Sequence, residues 1–596
     1  TAIGYEALKD VTTGYTNVAA GKGAGESLTT GHSNVAIGTG ALDVATDVDH
    51  TVIIGKKAGE GNMTSAADGT IAIGYLAGAN ITSGGGNTAV GYEAGYALTS
   101  GANNVAIGYE ALETEDTGGG TVAIGYHAAK AQNGNGKNVS IGYQASMNGH
   151  EGEKNVIIGY QAGVSLGGHS WNKNVGIGHQ AFYSIRGGSE DNVAIGDSAG
   201  FNSTTVTGNT LLGSGAGSAI TTGDYNIAIG FQSMDAATTI NNSVAVGYGA
   251  MGAVPSGQAV EYAIAIGSDA LLGGGSTTTG INGNVAIGAS AGRTITTGGN
   301  NTFVGYNAAY NVTTGGENTI IGRHAGNKIE KGSSNAFLGY SAGHYTTGSY
   351  NTFVGSEAGK GGQTSAPFSS GTANVALGYQ ALTGFTTGGD NTAIGRGAGQ
   401  SITSGARNVI VGKYAGNAMT IGTNNVALGV HAMAAADGLE RETIAIGYYA
   451  GGAVNSDSAI RNVFIGESAG YGGTGALQYS VAIGYQALDA TGANGITGAV
   501  AIGYEAFSAL TSGVQNTAIG YQAGRTTTTG ARNTFLGYEA GEDTTGGSDN
   551  TYLGNRAGGD HTGTYNTFVG SNTGKGVSGG SSNGSSNTAV GYDALT

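Results

Sequence analysis

The chain carries a short pattern of apolar and polar residues that recurs along its whole length. Each copy runs from an Asn through a Val or Thr, an Ala and an aliphatic residue to a Gly, as in NTAVG at 87–91 and NVAIG at 104–108. With that Gly as an anchor there are 34 copies, and 20 of the 33 intervals between anchors are 17 residues long. Self-similarity at a fixed period indicates a repeat architecture. We therefore predict a single repeat array over residues 1–596.

The 17-residue period limits what one copy can form. A helical hairpin repeat needs about 34 residues and a propeller blade about 40, so both are excluded. At ~3.3 Å per residue, one copy can trace two short strands joined by two turns, and each circuit rises by about 4.8 Å. The pattern predicts an all-β fold, a parallel β-solenoid (β-roll) of about 34 turns.

Each column of the repeat has its own chemistry. The residue before the anchor is Ile, Val or Leu in 33 of 34 copies, which predicts a core column. Three residues after the anchor, 32 of 34 copies have Ala, such as Ala94 and Ala111. That column faces either the opposite wall of a narrow coil or another chain. Two residues before the anchor, Ala gives way to Phe or Tyr in several later copies, so the space on that face varies along the chain.

Two polar columns predict the turns. Four residues before the anchor, 25 of 33 copies have Asn, including Asn87 and Asn104. Asn tolerates the left-handed conformation and hydrogen-bonds nearby backbone, which favours a turn. Stacked turns would align the amides into a ladder. Thr-Thr-Gly or Thr-Ser-Gly segments about ten residues after many anchors, as in Thr12-Thr13-Gly14 and Thr29-Thr30-Gly31, predict the second turn.

Tyr follows the anchor in 17 of 34 copies, and Tyr92 and Tyr109 belong to a run of six successive copies. Exposed rings about 4.8 Å apart could form a carbohydrate-binding strip. Alternatively, the rings stack on one another and shield a seam between chains. We favour the structural interpretation because half of the copies lack Tyr.

Copies longer than 17 residues must extrude surface loops, because stacked strands cannot absorb extra residues. Trp171, Tyr262 and Phe368 lie in such copies and are the candidate ligand-contacting residues. Aromatic rings can pack on sugar faces or anchor interfaces. The favoured alternative is that each ring covers its own loop.

Composition narrows the class of protein. Gly makes up 119 of 596 residues, too few for collagen and too many for an ordinary globular mixture. Charged residues are only 10% and apolar residues 39%, which argues against disorder. The net charge of −16, with no basic stripe, argues against a nucleic-acid partner. The sequence has no 18-residue apolar run, so we predict no membrane insertion in this segment.

Enzyme chemistry finds little support in the sequence. The chain has no Cys, which excludes thiol nucleophiles and Cys-ligated metals. The ten His form no cluster visible in the sequence, and no calcium nonapeptide or P-loop is present. Short glycine patterns are expected by chance in so Gly-rich a chain and carry no weight. We predict no catalytic residue, no cofactor and no metal site.

The Asn-Thr/Val-Ala-Ile-Gly element, as in NTAIGYQAG at 516–524, resembles the YadA-like head repeat of trimeric autotransporter adhesins. Similar arrays occur in bacteriophage tail-fibre proteins. The resemblance covers the whole chain and implies a left-handed parallel β-roll in which three identical chains pack side by side. The 17-residue period is longer than that of the adhesin head.

Self-association also has a physical argument. The apolar columns together present more surface than a narrow coil can enclose, and a long apolar stripe in water is an aggregation site unless copies of the chain cover it. We expect a homotrimer, with a monomeric β-helix as the alternative. The chain begins and ends within repeats and lacks caps, which suggests an interior segment of a longer fibre.

The expected function is a structural and adhesive segment of an extracellular trimeric fibre, most simply a phage tail fibre. Surface glycans or a host-cell receptor are the expected partners besides the chain itself. The alternatives are a bacterial cell-surface adhesin head and, from another class, a polysaccharide-processing β-helix, which would need carboxylates clustered in one groove.

Overall fold

The computed structural model describes residues 1–134, 136–149, 152–165, 170–255, 259–274, 278–365, 368–456, 458–473, 475–492, 494–576 and 583–595. The chain divides into two compact units, Thr1–Asn300 and Asn301–Thr596. Within each unit, every copy of the repeat contributes a strand of two or three residues that ends just before the anchor Gly. Successive strands are parallel and about one 17-residue period apart, so the predicted all-β parallel solenoid is confirmed.

In the described part of the first unit, the strands stack in chain order. They are β1 (Ala2–Ile3), β2 (Val18–Ala20), β3 (Val35–Ile37), β4 (Val52–Ile54), β5 (Ile71–Ile73), β6 (Thr88–Val90), β7 (Val105–Ile107), β8 (Val122–Ile124), β9 (Val139–Ile141), β10 (Val156–Ile158), β11 (Val175–Ile177), β12 (Val193–Ile195), β13 (Thr210–Leu212), β14 (Ile227–Ile229), β15 (Thr239–Asn241), β16 (Val244–Val246), β17 (Ala259–Glu261), β18 (Ile264–Ile266) and β19 (Val285–Ile287). Strands β15 and β17 pair with each other, and the others form one parallel sheet. A 3-10 helix spans Ser65–Ala67.

The second unit repeats this organisation over its described residues. Its strands are β20 (Thr302–Val304), β21 (Thr319–Ile321), β22 (Ala336–Leu338), β23 (Thr352–Val354), β24 (Val375–Leu377), β25 (Thr392–Ile394), β26 (Val409–Val411), β27 (Val426–Leu428), β28 (Ile444–Ile446), β29 (Val463–Ile465), β30 (Leu477–Gln478), β31 (Val481–Ile483), β32 (Ile496–Thr497), β33 (Val500–Ile502), β34 (Thr517–Ile519), β35 (Thr534–Leu536), β36 (Thr551–Leu553), β37 (Thr567–Val569) and β38 (Thr588–Val590). Strands β30 and β32 pair apart from the parallel sheet of the others.

The inward face of each strand is not the one predicted. The middle residue, such as Ala106, is fully buried, whereas Ile107 is 37% exposed and Leu338 is 49% exposed. The prediction that the aliphatic column before the anchor forms the core is therefore wrong. Neighbouring strand residues point to opposite faces, so a middle residue that turns into the interior leaves the residue on either side of it facing outward.

The second strand predicted for each copy is also absent from most of the described copies. The second and fourth residues after the anchor have left-handed backbone, as at Glu110 (φ 51°) and Leu112 (φ 52°). A strand needs negative φ throughout. This wall is therefore a series of turns, joined to its neighbours by bonds such as that from the Gly95 amide to the Ala111 carbonyl (2.9 Å).

Ala94 and Ala111 lie on this turn-built wall, and both are fully buried within the single chain. Of the two alternatives for that column, the opposite wall of the same coil is therefore the correct one. The side chains are small because the two walls lie close together.

The anchor glycines are required by both conformation and space. Gly91 has φ 143° and Gly108 has φ 137°, a region that side chains rarely adopt. A Cβ atom on Gly91 would lie 2.2 Å from the carbonyl oxygen of Gly108, in the next turn. Each anchor is thus pressed against the backbone of its neighbour, which explains why no copy replaces it.

The Asn column forms a ladder inside the coil. The Oδ1 atom of Asn87 accepts the backbone N–H of Asn104 (2.8 Å), and the Nδ2 atom of Asn104 donates to the Gly118 carbonyl (2.9 Å). Both side chains are fully buried. The left-handed residue is not the Asn itself but the one before it, such as Asn103 (φ 59°). Where the column has Asn, the side-chain amides therefore satisfy buried backbone groups at this corner of the coil.

Candidate functional site

The outward residues of the strands form the most extensive candidate interaction surface. We call the residues one and three positions before the anchor the outer columns. Neither column contains a charged residue in any copy, and the residues stack in register, as Val105 on Val122 and Ile107 on Ile124. Large aliphatic side chains that are more than a third exposed include Ile37, Ile107, Leu212, Ile266 and Ile287 in the first unit and Leu338, Leu377, Val409, Leu428 and Leu553 in the second.

The tyrosines that follow the anchors stack ring on ring. Tyr92 and Tyr109 have centroids 4.8 Å apart and planes inclined by 6°. The stack continues through each copy from Tyr75 to Tyr160 and ends on the His179 ring, 5.4 Å from Tyr160. The second unit has a similar stack of Tyr485, Tyr504, Tyr521 and Tyr538. Each ring covers its neighbour's face, so a ligand would meet ring edges, whereas sugars pack on faces. This geometry favours the structural interpretation of the column.

Carboxylates beside the stack hold the phenols neutral. A hydrogen bond with the Glu93 side chain raises the pKa of Tyr92 to about 12, and Glu110 raises the pKa of Tyr109 in the same way. Burial acts to raise the pKa of Glu110, but the nearby Lys130 and Tyr109 side chains hold it below its usual value. The stack is therefore an uncharged band edged with ion pairs such as Lys130–Glu113 (3.0 Å).

Trp171 lies inside the coil and not on a loop surface. Its side chain is 1% exposed, and a Cβ atom on Gly163 would lie 3.3 Å from the indole. The Trp171 carbonyl accepts the Asn155 amide (2.8 Å), so the residue belongs to the Asn ladder. This burial leaves no ring face for a ligand from solvent.

The other two candidate contacts differ from each other. Tyr262 is 64% exposed and occupies the left-handed position before the Asn column (φ 57°). Phe368 is half-buried and packs on Tyr345, with centroids 6.1 Å apart. Phe368 therefore packs against the preceding turn, and of the three residues only Tyr262 presents an open ring. The three residues are not brought together into one site.

A groove of about 320 Å³ lies in the second unit, where three successive expanded copies meet. Arg461 lines it and bonds to Glu442 (2.8 Å) and to the Tyr479 hydroxyl (3.2 Å). The charges of Arg461 and Glu442 therefore neutralise each other. The residues lining the groove are Arg441, Glu442, Ser458, Ile460, Arg461 and Gln478.

The structure also assembles a cluster that the sequence analysis missed. Ligating atoms of His32, Asp49 and His50 all lie within 4.8 Å of one another. The signal was present in the sequence, because His32 and Asp49 are 17 residues apart and so occupy the same column in adjacent turns. The cluster is less visible in the sequence than a single column of His would be, because His50 lies one position further along the repeat than His32 and Asp49.

Comparison with known proteins finds no family model that matches this chain and no curated protein that matches it. In the part of the chain that the structure describes, no helix has the length and apolarity needed to cross a bilayer.

Proposed function

We propose that this chain is a structural and adhesive segment of an extracellular trimeric fibre, the shaft of a phage tail fibre. The repeated NTAIGYQAG-type element supports the fibre, through its resemblance to tail-fibre and adhesin repeats. The interior supports the structural role, since its polar side chains are engaged in ladders that join one turn to the next.

The observation that carries the proposal is the uncharged apolar surface of the outer columns. In an isolated chain the Ile107 and Leu338 side chains remain 37% and 49% exposed, and the same position recurs in every turn. Continuous apolar stripes of this kind are rare on monomeric proteins, because water penalises them. A closed symmetric assembly covers such a stripe without leaving an open edge for further addition. The number of chains in the assembly, three, is taken from the resemblance to the repeats of trimeric adhesins.

Adhesion is assigned to the surfaces that the trimer leaves open. The corner with Tyr262, whose ring is 64% exposed, is the accessible candidate contact. Surface glycans or a protein receptor are the proposed partners. A glycan array probed with the intact chain tests this part, and a Tyr262→Ala variant should lose a signal that depends on the open ring.

Mass measurement in solution tests the assembly. Light scattering should give three times the 58.3 kDa of one chain. Replacing the outward residues of three successive turns, Val90, Ile107 and Ile124, each with Asp should yield monomers that retain the β circular dichroism spectrum. The matched control places the same three charges at the exposed second turn, as Ser83→Asp, Ser100→Asp and Thr117→Asp, and should remain trimeric. A monomeric wild-type chain would refute the assembly.

A further inference from the structure

Three side chains with metal-binding chemistry converge at one corner of the first unit. His32 and Asp49 follow the second turn in adjacent copies, and His50 is the residue after Asp49. The coil itself sets their separation, because the Asp49 Oδ1 atom accepts the His32 backbone N–H (2.7 Å) and the His50 backbone N–H donates to the His32 carbonyl (3.1 Å). The cluster is thus held by the stacking of turns.

The spacing of the ligating atoms suits a small tetrahedral ion. The His32 Nε2 atom lies 3.3 Å from the Asp49 Oδ2 atom. Two ligands of a tetrahedral Zn²⁺ ion, each about 2.0–2.1 Å from the metal, are separated by about 3.4 Å. The His50 ring lies 5.1 Å from the His32 ring, centroid to centroid, and the exposed His50 side chain can rotate the short distance needed to complete the set.

Protein hydrogen bonds alone do not account for the cluster. The His32 Nδ1 atom is buried and has no hydrogen-bond partner among the described residues. Buried polar atoms are nearly always bonded, so the protein alone leaves this imidazole partly unsatisfied beside a carboxylate and a second imidazole. The Asp49 backbone is held in turn by the Asp68 carboxylate, which accepts its N–H (2.7 Å).

We propose that His32, Asp49 and His50 bind one divalent transition-metal ion of the Zn²⁺ type, with the fourth position open to water or to an external donor. Imidazole nitrogens favour Zn²⁺, Ni²⁺ and Cu²⁺, whereas Ca²⁺ and Mg²⁺ prefer sites built from oxygen atoms. Three protein ligands and one open position is the arrangement of an accessible zinc site, in contrast to the four protein ligands of a closed structural site.

The first unit contains a matched control. His179 and Asp197 form an exposed pair with Nδ1 2.7 Å from Oδ1, one turn apart. Among the described residues, the only grouping of three His, Cys, Asp or Glu side chains with metal-site spacing is the one at His32. A histidine–aspartate ion pair without a metal would make the two places behave alike.

Calorimetric titration of the intact chain with Zn²⁺, after purification without a polyhistidine tag, tests the site. We expect one equivalent bound per chain, with two imidazoles and a carboxylate oxygen seen by X-ray absorption at the zinc edge, and no comparable binding of Ca²⁺. His50→Asn keeps a residue that tolerates the left-handed backbone of this position (φ 58°), and Asp49→Asn keeps an oxygen for the His32 N–H. Each should weaken binding at least ~10-fold.

The control His179→Asn should leave the affinity unchanged, and circular dichroism should show that all three variants keep the fold. The proposal would be overturned if the wild-type chain bound no saturable equivalent of Zn²⁺. It would also be overturned if the His50→Asn variant bound Zn²⁺ as tightly as the wild-type chain.

Discussion

The two units differ in how often an aromatic ring on the strand wall fills the interior of the coil. In the second unit the middle strand residue is aromatic in seven copies, and each ring is buried; no strand of the first unit has an aromatic residue at that position. The seven residues are Phe303, Phe337, Phe353, Phe464, Phe535, Tyr552 and Phe568. In the first unit the bulk comes mainly from the turn-built wall, as with Leu98 and Phe182.

Six of the seven aromatic strand residues have a Gly four positions after the anchor of their copy, and Phe303, with Ala309 there, is the exception. A Cβ atom on Gly343 would lie 2.4 Å from the ring of Phe337, in the same copy. At the equivalent Gly95 in the first unit, a Cβ atom would instead lie 2.8 Å from the Leu98 side chain. The copy that contains Phe182 has the opposite arrangement: the large ring is on the turn-built wall, and the middle strand residue is Gly176.

This difference shows that either wall can supply large side chains to the interior. Protein interiors are packed nearly as densely as organic crystals, so bulk added on one wall calls for smaller residues on the other. The outer columns vary too: the residue three before the anchor is Thr in nine copies of the second unit but in only three of the first.

The largest loss of stability is expected at the anchor glycines, which the two units share. Gly91→Ala in the first unit and Gly520→Ala in the second would each force a Cβ atom against a backbone carbonyl, at 2.2 and 2.1 Å. We expect each to destabilise its neighbourhood by roughly 3 kcal/mol or more, from the clash and the left-handed strain together. Hydrogen exchange of the backbone amides in β6, β7, β34 and β35 measures this local loss of stability. Gly69→Asn, whose Cβ atom would meet no atom within 4 Å, should change little.

The next prediction exchanges the two packing solutions. Phe337→Ala should cost about 3–5 kcal/mol, because it empties the interior of its copy. Ala89→Phe in the first unit should cost about 1–3 kcal/mol through overpacking against Leu98. Adding Leu98→Thr should recover part of that loss, because the second unit combines Phe337 with Thr346. Urea unfolding of Ala89→Phe, Leu98→Thr and the double variant forms a double-mutant cycle. Strictly additive changes in the free energy of unfolding would contradict the compensation between the two walls.

A pH dependence distinguishes the turn of Phe337 from its counterpart in the first unit, which has Tyr96 where this turn has His344. Burial, with the charges of Lys360 and Lys328, lowers the pKa of His344 to about 4, while its bond to the His324 carbonyl acts the other way. The unfolded chain therefore binds the proton more readily, and stability falls as pH drops from ~6.5 towards 4.

His344→Gln should remove part of that acid sensitivity. Because solvent reaches part of the ring, we expect a difference of only about 1–2 kcal/mol between pH 7 and pH 4. Unfolding of the wild-type chain and the variant across this range gives the comparison. Parallel pH profiles for the two proteins would show that His344 is not the source.

The smallest effect is expected in the exposed Tyr stacks, which both units share. Tyr109→Ala and Tyr521→Ala each remove two ring contacts, between centroids 4.8 to 5.3 Å apart. Since the rings remain partly in water, each should cost about 0.5–1 kcal/mol. Thermal unfolding measures it, with Tyr262→Ala as an unstacked control. A loss of several kcal/mol would mean that the rings are buried in the assembled protein.

Much of the fold could be predicted because stacking turns one repeat into a long column of identical contacts. The spacing of Gly91 and Gly108 indicated the solenoid, and the Asn at 87 and 104 indicated an amide ladder, since a polar residue repeated at one register must meet its own copy in the next turn. The candidate contacts were less predictable, because an insertion leaves the repeat and its rings can turn inward, as Trp171 does, or outward, as Tyr262 does.

The sequence by itself determined the period, the parallel stacking and the columns in which like residues meet, since these follow from repetition alone. The tertiary structure decided which face of each strand points inward, because Val, Ala and Ile in succession are apolar on both faces. The path of the coil resolved that ambiguity, because it turns the middle residue of each strand inward and leaves Ile107 and its counterparts outside. It also placed His32, Asp49 and His50 together, since only the path of the coil sets which side chains meet across a turn.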